Sequence, residues 1–408
     1  MKLSSKMENP KRRKTCKLND DGSKVPMHDI ELLPNEILMN IFSHLNIKAL
    51  FICGQVNKKF RQISHDKSFW KCVNLYNQTV PCQFLAHILQ LGIEYLNLQA
   101  VTLLGDSDTV IPRKNSLRYL NLAFCNIEDR FLVRLLRSSV ALEKISLREV
   151  NQNRVRTNWT TFVNQDQKQL KLRRSWYIEC LLPNAKLLTT LDLSNDQFGL
   201  IPHKLDPESM EEILLNCTEL KEANFKNQIK DVDFFVNNLT PKIEKLNISY
   251  NDDFLSKHVV QLVKRCKRIS ELDLKDCRLY IDGYDFDGEP NENENYLLAI
   301  SENLSQSLIK LQLPYMNIYY IVHRRFLNSL PKLRYLWMWD YKDSDSINIM
   351  KEYPLIVLNE GTAKLASCSH EYFEPDQGFW ELKCTAVDFS KTKYPQVIAE
   401  SLVVRPWC

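Results

Sequence analysis

The stretch Leu117-Arg-Tyr-Leu-Asn-Leu122 carries apolar residues at its first, fourth and sixth positions. The same spacing recurs at residues 93–98, 117–122, 142–147, 188–193, 220–225, 243–248, 269–274, 308–313 and 333–338. A degenerate copy occupies residues 167–172, and a last copy begins at residue 355. Alternate residues of a strand point to opposite faces, so each copy predicts a short strand whose apolar residues enter a shared core.

Most copies start 21 to 26 residues after the previous one, a period typical of leucine-rich repeats. The predicted fold class is therefore α/β, a leucine-rich-repeat solenoid with parallel strands on its concave face and helices outside. Longer steps of 32 and 39 residues indicate insertions. The larger insertion contains an acidic run at residues 282–294, which we expect to be an exposed loop because it lacks the EF-hand order of calcium ligands.

The first candidate substrate-binding group is basic. The alternating positions of the strands are expected to face the concave surface, which is the usual binding surface of a solenoid. There, two neighbouring predicted repeats would form a basic patch of Lys144, Arg148, Lys171 and Arg173. Such a patch suits a phosphate or carboxylate group, and the alternative is a solvated face with ordinary charge.

The second candidate group is aromatic. Tyr335, Trp337 and Trp339 fall in register on one predicted strand, where exposed rings are typical binding anchors. The alternative is that residues 359–408 cover them, because this tail leaves the repeat pattern yet contains large apolar residues such as Phe379 and Trp380. Both alternatives stay open at the level of sequence.

Residues 29–71 predict a small all-helical unit that precedes the repeats. Ile37, Ile41 and Leu45 recur on one stripe of an amphipathic helix, and Pro34 fits the start of that helix. Further short helices are expected around Leu50 and toward Trp70. A unit of this size has more large apolar residues than it can hide, which predicts a partner with a hydrophobic groove.

The segments Leu33-Pro-Asn-Glu-Ile-Leu-Met-Asn-Ile-Phe-Ser-His-Leu45 and Val56-Asn-Lys-Lys-Phe-Arg-Gln-Ile-Ser-His-Asp-Lys-Ser-Phe-Trp70 resemble an F-box. The resemblance implies docking on a SKP adaptor protein, which links the chain to cullin and RING subunits. It implies adaptor-facing residues at Leu33, Pro34, Ile37, Leu38, Ile41 and Leu50. Bulky residues usually hold such a unit together, so we expect the following to be internal core: Phe42, Val56, Phe60 and Trp70.

The layout of the whole chain resembles F-box proteins with leucine-rich repeats of the S-phase kinase-associated type. It divides into a basic tail at 1–28, an F-box at 29–71, repeats at 72–358 and a C-terminal tail at 359–408. The resemblance implies a substrate-recognition subunit of an SCF-type ubiquitin ligase that promotes degradation of proteins such as cell-cycle regulators. It also implies a protein substrate, phosphorylated or not, and a Cks-family accessory protein. The alternative is a scaffold that binds the adaptor without ubiquitin transfer.

Charge is concentrated at the start of the chain. Residues 1–24 carry a net charge of +5 and the remaining residues −1, so the repeats have no broad basic surface and we expect no nucleic-acid partner. The run Lys11-Arg-Arg-Lys14 has two interpretations, a nuclear import signal or a solvated tail. We expect a location in the nucleus, the cytoplasm or both.

Catalysis and metal binding are not expected. The sequence contains no phosphate-binding loop and no G-x-S-x-G or H-E-x-x-H motif, so we expect no enzyme activity, no catalytic residues and no cofactor. The 12 cysteines form no C-x-x-C pair, which predicts free structural thiols. No window of 18 apolar residues occurs, so we expect no membrane partner.

Overall fold

A computed structural model describes residues 30–105, 109–150, 178–195, 204–279, 296–314, 326–338 and 357–360. Several predicted features lie outside these residues, namely the basic tail, the acidic loop at 282–294, the degenerate repeat at 167–172, Lys171, Arg173, Trp339 and the tail from residue 361 onward. The structure is mixed α/β, with a helical region first and a long parallel sheet after it, as the sequence predicted at that level.

The N-terminal region consists of short helices, and the last three each begin directly after a capping residue. After a 3₁₀ turn at Ile30–Leu32, the helices are Asn35–Ser43, Ile47–Val56, Lys58–Ser64 and Lys67–Trp70. The side chains of Asn46, Asn57 and Asp66 each accept a backbone N–H from the first turn of the helix that follows. Such caps satisfy donors that have no partner within the helix, which is why these short helices begin where they do.

The helices pack around a small aromatic core. Phe42 and Phe60 meet edge to face with ring centroids 5.2 Å apart. Gly54 lets the second helix approach the third closely, because a Cβ there would lie 2.6 Å from Ser64 Oγ. The indole of Trp70 is 1% exposed and lies at the end of the helical region, just before the first strand of the sheet.

Within the described residues, the sheet has eleven parallel strands, hydrogen-bonded in the order in which they occur in the chain. They are β1 (Cys72–Asn74), β3 (Tyr95–Asn97), β5 (Tyr119–Asn121), β6 (Lys144–Ser146), β7 (Thr190–Asp192), β8 (Glu222–Asn224), β9 (Lys245–Asn247), β10 (Glu271–Asp273), β11 (Lys310–Gln312), β12 (Tyr335–Met338) and β13 (Val357–Glu360). Two further strands, β2 (Thr79–Pro81) and β4 (Thr102–Leu104), pair separately.

Helices connect many of the strands within the described residues. They are Cys82–Gln90, Asp129–Ser138, Pro207–Asn216, Val232–Asn238, Ser256–Arg265 and Tyr296–Leu304, with a 3₁₀ turn at Leu182–Asn184. In the eleven-stranded sheet, the central residue of each strand from β3 to β12 is apolar and at most 1% exposed, and it joins one hydrophobic cluster with the buried faces of these helices. None of the helices in the described ranges combines the length and apolar character needed to cross a bilayer.

The sheet differs from the predicted repeat array at two places. It begins one strand earlier, at β1, where Trp70, Val73 and Leu75 fill the three apolar positions. The prediction missed this strand because Trp70 was assigned only to the preceding helix. The second difference lies at β6, which pairs directly with β7, Lys144 opposite Thr190. The predicted copy at 167–172 lies outside the described residues, and no strand separates β6 from β7 in the described sheet.

Candidate interaction surfaces

The helical region exposes more large apolar side chains than a surface of this size usually does. The exposed fractions are 47% for Ile30, 81% for Leu32, 48% for Ile37, 37% for Ile41, 54% for Ile52 and 44% for Val56. A hydrogen bond of 2.8 Å from Asn57 Nδ2 to Glu31 Oε1 holds the end of the second helix beside the segment that carries Ile30 and Leu32. Apolar side chains gathered in this way are typical of a protein-binding surface.

The predicted adaptor-facing residues divide into two groups. Ile37, Ile41 and Pro34 are exposed, and Leu33 is half-buried. Leu38 and Leu50, by contrast, are 0% and 1% exposed. Both belong to the internal core, so their assignment to the adaptor surface is corrected.

The predicted internal residues also need one correction. Phe42, Phe60 and Trp70 are buried, as expected, whereas Val56 is 44% exposed. Val56 is the last residue of the helix Ile47–Val56, and the next helix starts only after the cap at Asn57. The sequence pattern had placed Val56 on that next helix, where it would have pointed inward.

The second surface is the side of the sheet opposite the buried central residues, here called the strand face. Its first row consists of the first residue of each strand of this sheet from β3 to β12: Tyr95, Tyr119, Lys144, Thr190, Glu222, Lys245, Glu271, Lys310 and Tyr335. Its third row consists of Asn97, Asn121, Ser146, Asp192, Asn224, Asn247, Asp273, Gln312 and Trp337. Strand alternation places both rows on the face that the repeats were predicted to present.

The middle of the first row is a ladder of alternating charge. Lys245 Nζ lies 3.3 Å from a carboxylate oxygen of Glu222 and 3.5 Å from one of Glu271. Lys310 Nζ lies 3.3 Å from the other oxygen of Glu271. Burial acts to lower the pKa of Lys245, but the two carboxylates outweigh it and raise the pKa. The ladder therefore neutralises its own charge.

The third row supports the turns that follow the strands. Side-chain oxygens of Asn97, Asn121, Asp192, Asn224, Asn247 and Asp273 each accept the backbone N–H two residues further on, at 2.9–3.2 Å. Many of the turns then pass through a residue with positive φ, as at Ala100, Phe124 and Tyr250. Most third-row residues from Asn121 to Asp273 are buried, so this row has a structural role that the sequence analysis missed.

One residue of the third row has an altered proton affinity. Burial raises the pKa of Asp273 from 3.8 to about 7, although the Lys275 backbone N–H and the charges of Lys226 and Lys275 act in the opposite direction. The carboxyl is 5% exposed and lies in register between Asn247 and Gln312. Its protonation state therefore changes near neutral pH.

Only part of the predicted basic patch is described, because Lys171 and Arg173 lie outside the described residues. The patch therefore stays a prediction. The neighbours of Lys144 in the sheet are Tyr119 and Thr190. Lys144 Nζ lies 5.9 Å from the ring centroid of Tyr119, and the guanidinium of Arg148 lies 4.9 Å from that of Phe124. Each of these two cations thus lies over an aromatic ring.

The predicted aromatic strand is present in part. Tyr335 and Trp337 stack with centroids 5.9 Å apart and planes 21° apart, and Tyr335 is 37% exposed. Lys310 Nζ lies 5.5 Å from the ring of Tyr335. Trp339 falls outside the described residues.

The cysteines of the described residues are free thiols, as expected. Burial raises the pKa of Cys266 to about 11 and that of Cys217 to about 12. Cys125 and Cys277 are also buried. No group of three metal-ligating side chains occurs in the part of the chain that the structure describes.

Comparison with known proteins assigns the helical region. The family model described as F-box-like matches residues 30–76. This region is an F-box-like domain. It is similar to the ubiquitin ligase complex F-box protein UFO1 of Saccharomyces cerevisiae, with 48% identity over 48 residues, 12% of this chain and 7% of that protein. The F-box protein dre-1 of Caenorhabditis elegans is 38% identical over 60 residues, 14% of this chain and 6% of that protein.

The similarity to these relatives is local. The chain covers less than a tenth of the length of either protein. The F-box-like domain begins at the 3₁₀ turn Ile30–Leu32 and extends past β1, so it includes a strand of the sheet that the predicted boundary at residue 71 had excluded.

Proposed function

We propose that the chain is the substrate-recognition subunit of an SCF-type ubiquitin ligase. The F-box-like domain binds a SKP-type adaptor, and the adaptor connects the chain to cullin and RING subunits that supply the chemistry. The observation that carries the proposal is the F-box-like match at residues 30–76, together with the exposed apolar side chains of the same residues. The similarity to a yeast F-box protein of a ubiquitin ligase complex supports it.

The adaptor surface proposed here is narrower than the sequence indicated. It consists of Leu33, Pro34, Ile37 and Ile41, with Leu32 beside them. Exposed aliphatic side chains of this kind contribute favourable binding free energy when they enter a hydrophobic groove, because their apolar area is then removed from water.

The sheet and its helices are proposed to form a leucine-rich-repeat solenoid that presents the strand face to a protein substrate. The regular chain-order pairing of the parallel strands and the recurring apolar motif support this part. The sequence resemblance further suggests cell-cycle regulators as substrates, a Cks-family accessory protein and a nuclear or cytoplasmic location.

The alternative function is a scaffold that binds the adaptor without ubiquitin transfer. The experiment that separates the two reconstitutes the full chain with adaptor, cullin, RING subunit and E2, and measures cullin association and ubiquitin transfer to co-purified proteins. We expect both. Adaptor binding without cullin association would favour the scaffold, and absence of adaptor binding would refute both functions.

A further inference from the structure

The two ends of the first row carry the same local arrangement with different charge compensation. At one end Lys144 Nζ lies 5.9 Å from the Tyr119 ring, and at the other Lys310 Nζ lies 5.5 Å from the Tyr335 ring. Lys310 also forms an ion pair of 3.3 Å with Glu271. Lys144 forms no ion pair with any carboxylate of the described residues.

The sheet geometry explains why Lys144 lacks such a partner. The next strand places Thr190 opposite Lys144, and Thr190 Oγ1 donates to Glu222 Oε2 at 3.4 Å. Glu222, the nearest carboxylate of the ladder, is therefore two strand spacings away from Lys144, or about 9.6 Å. The adjacent Glu143 points to the other side and bonds Arg118 in a bidentate pair at 2.9 Å. Neither Glu143 nor Glu222 therefore forms an ion pair with Lys144.

Two tyrosine rings lie next to this cation: Tyr119, which is 8% exposed and supports the Lys144 side chain, and Tyr95, which is half-buried and is the ring that a ligand can contact. The rings of Tyr95 and Tyr119 are 6.1 Å apart and tilted by 36°. Tyrosine rings of this kind supply contact area at low cost in conformational entropy and are enriched at protein interfaces. The Tyr119 ring therefore restricts the position of the Lys144 ammonium group. An anion that binds this group also lies near the apolar ring of Tyr95.

We propose that Lys144, Tyr119 and Tyr95 form a docking site for an extended acidic segment of a partner protein. A glutamate or aspartate carboxylate of the segment pairs with the Lys144 ammonium, and a neighbouring apolar side chain lies against Tyr95. The assignment to a carboxylate, and not a phosphate, follows because Lys144 is the one cation that the described residues place directly beside these rings, whereas phosphate sites commonly gather several cations or an Arg cluster. The proposal rests on the proposed function, in which the strand face receives the substrate.

The test uses the full chain in complex with its adaptor and a library of ten-residue peptides, each with one glutamate flanked by randomised apolar residues. Affinities of selected peptides are compared with those of their Glu→Gln counterparts. We expect Lys144→Gln to weaken the glutamate peptides about tenfold and to leave the Gln counterparts unchanged. Lys144→Arg should restore the affinity to within about twofold.

Lys310→Gln is the matched control, because Lys310 has the same ring geometry but is compensated by Glu271. It should leave peptide affinity unchanged. Counterparts with phosphoserine in place of the glutamate are measured alongside. The docking site is refuted if no peptide binds in a glutamate-dependent way, if Lys310→Gln weakens binding as much as Lys144→Gln, or if the phosphoserine counterparts bind and the glutamate peptides do not. Adaptor binding and ubiquitin transfer are measured on the same proteins, so failure of the proposed function appears as loss of those readouts and failure of the docking site does not.

Discussion

The indole Nε1 of Trp70 donates a 2.6 Å hydrogen bond to the carbonyl oxygen of Ser64, across the end of the third helix. Trp70 is at once the last residue of the helical region and the first apolar position of the motif that forms β1. Its ring is buried in a cluster that continues from Phe42 into the sheet. The F-box-like domain and the sheet therefore share one hydrophobic core.

Truncation of this shared residue should destabilise both parts together. We expect Trp70→Ala to lower the free energy of unfolding by about 3–5 kcal/mol, because it leaves a large cavity. Trp70→Phe should cost about 1–2 kcal/mol, since the carbonyl of Ser64 loses its donor. Urea denaturation followed by circular dichroism measures both. Tyr76→Ala, at a position 51% exposed, is the control and should change stability by much less. Separate transitions for helices and sheet in the wild-type protein would contradict the shared core.

Asp273 should make the stability of the sheet depend on pH. Burial raises its pKa from 3.8 to about 7, so between those values the folded protein binds more protons than the unfolded chain. The free energy of unfolding then falls as the pH rises through that window. Asp273→Asn keeps the acceptor for the Lys275 N–H, as Asn247 does for Ser249. We expect this variant to match the wild type near pH 4 and to exceed it by on the order of 2 kcal/mol at pH 8.

The measurement for Asp273→Asn is a series of urea denaturation curves from pH 4 to pH 8. Asp252→Asn serves as the control, because Asp252 is an exposed carboxylate one repeat earlier. A variant whose advantage over the wild type is the same at every pH would disprove the titration of Asp273.

Removal of the central cation should disturb the charge ladder. Lys245→Met leaves Glu222 and Glu271 facing each other, so we expect a loss of about 1 kcal/mol at low ionic strength, less in high salt. The triple variant Glu222→Gln, Lys245→Met, Glu271→Gln should recover most of the loss, because the repulsion is gone. Denaturation curves at two salt concentrations test this. Equal losses at both salt concentrations would indicate that packing, and not charge, causes the effect.

The exposed and buried residues of the first helix should respond differently to substitution. Ile37→Lys together with Ile41→Lys should abolish adaptor binding with little loss of stability, since both side chains are exposed. Leu38→Ala should cost about 2–5 kcal/mol, because Leu38 is buried. Co-purification with the adaptor and thermal unfolding are measured on each variant. Adaptor binding that survives the double lysine change would place the interface elsewhere.

Much of the sheet was predictable, because most copies have a central apolar residue such as Leu120 or Leu272 between two polar ones. The direct pairing of β6 with β7 was not predicted, since spacing alone does not show which strands are neighbours in a sheet. The first strand was not predicted because Trp70 fits both the end of the last F-box helix and the first apolar position of the repeat motif. The ladder could have been found by comparing the third positions of successive copies, where Glu222, Lys245, Glu271 and Lys310 alternate in sign.

Burial within each surface was harder to predict. Leu38 and Ile37 are adjacent and similar in chemistry, and only the packing of the third helix decides which of them is covered. In the third row, Asn247 and Asp273 were read as exposed polar residues, yet their side chains bond the following turns. Such local hydrogen bonds depend on backbone geometry that alternation does not reveal.

The strand order also fixes the distance between the two aromatic ends of the first row. Tyr119 and Tyr335 lie seven strand spacings apart, or about 34 Å along the sheet at about 4.8 Å for each spacing. An extended chain covers about 3.4 Å per residue, so a ligand that touches both aromatic ends needs about ten residues. A shorter ligand segment can contact only Tyr119 or only Tyr335. A ligand at Tyr119 lies nearer to the F-box-like domain, because β5 is close to β1 in the strand order.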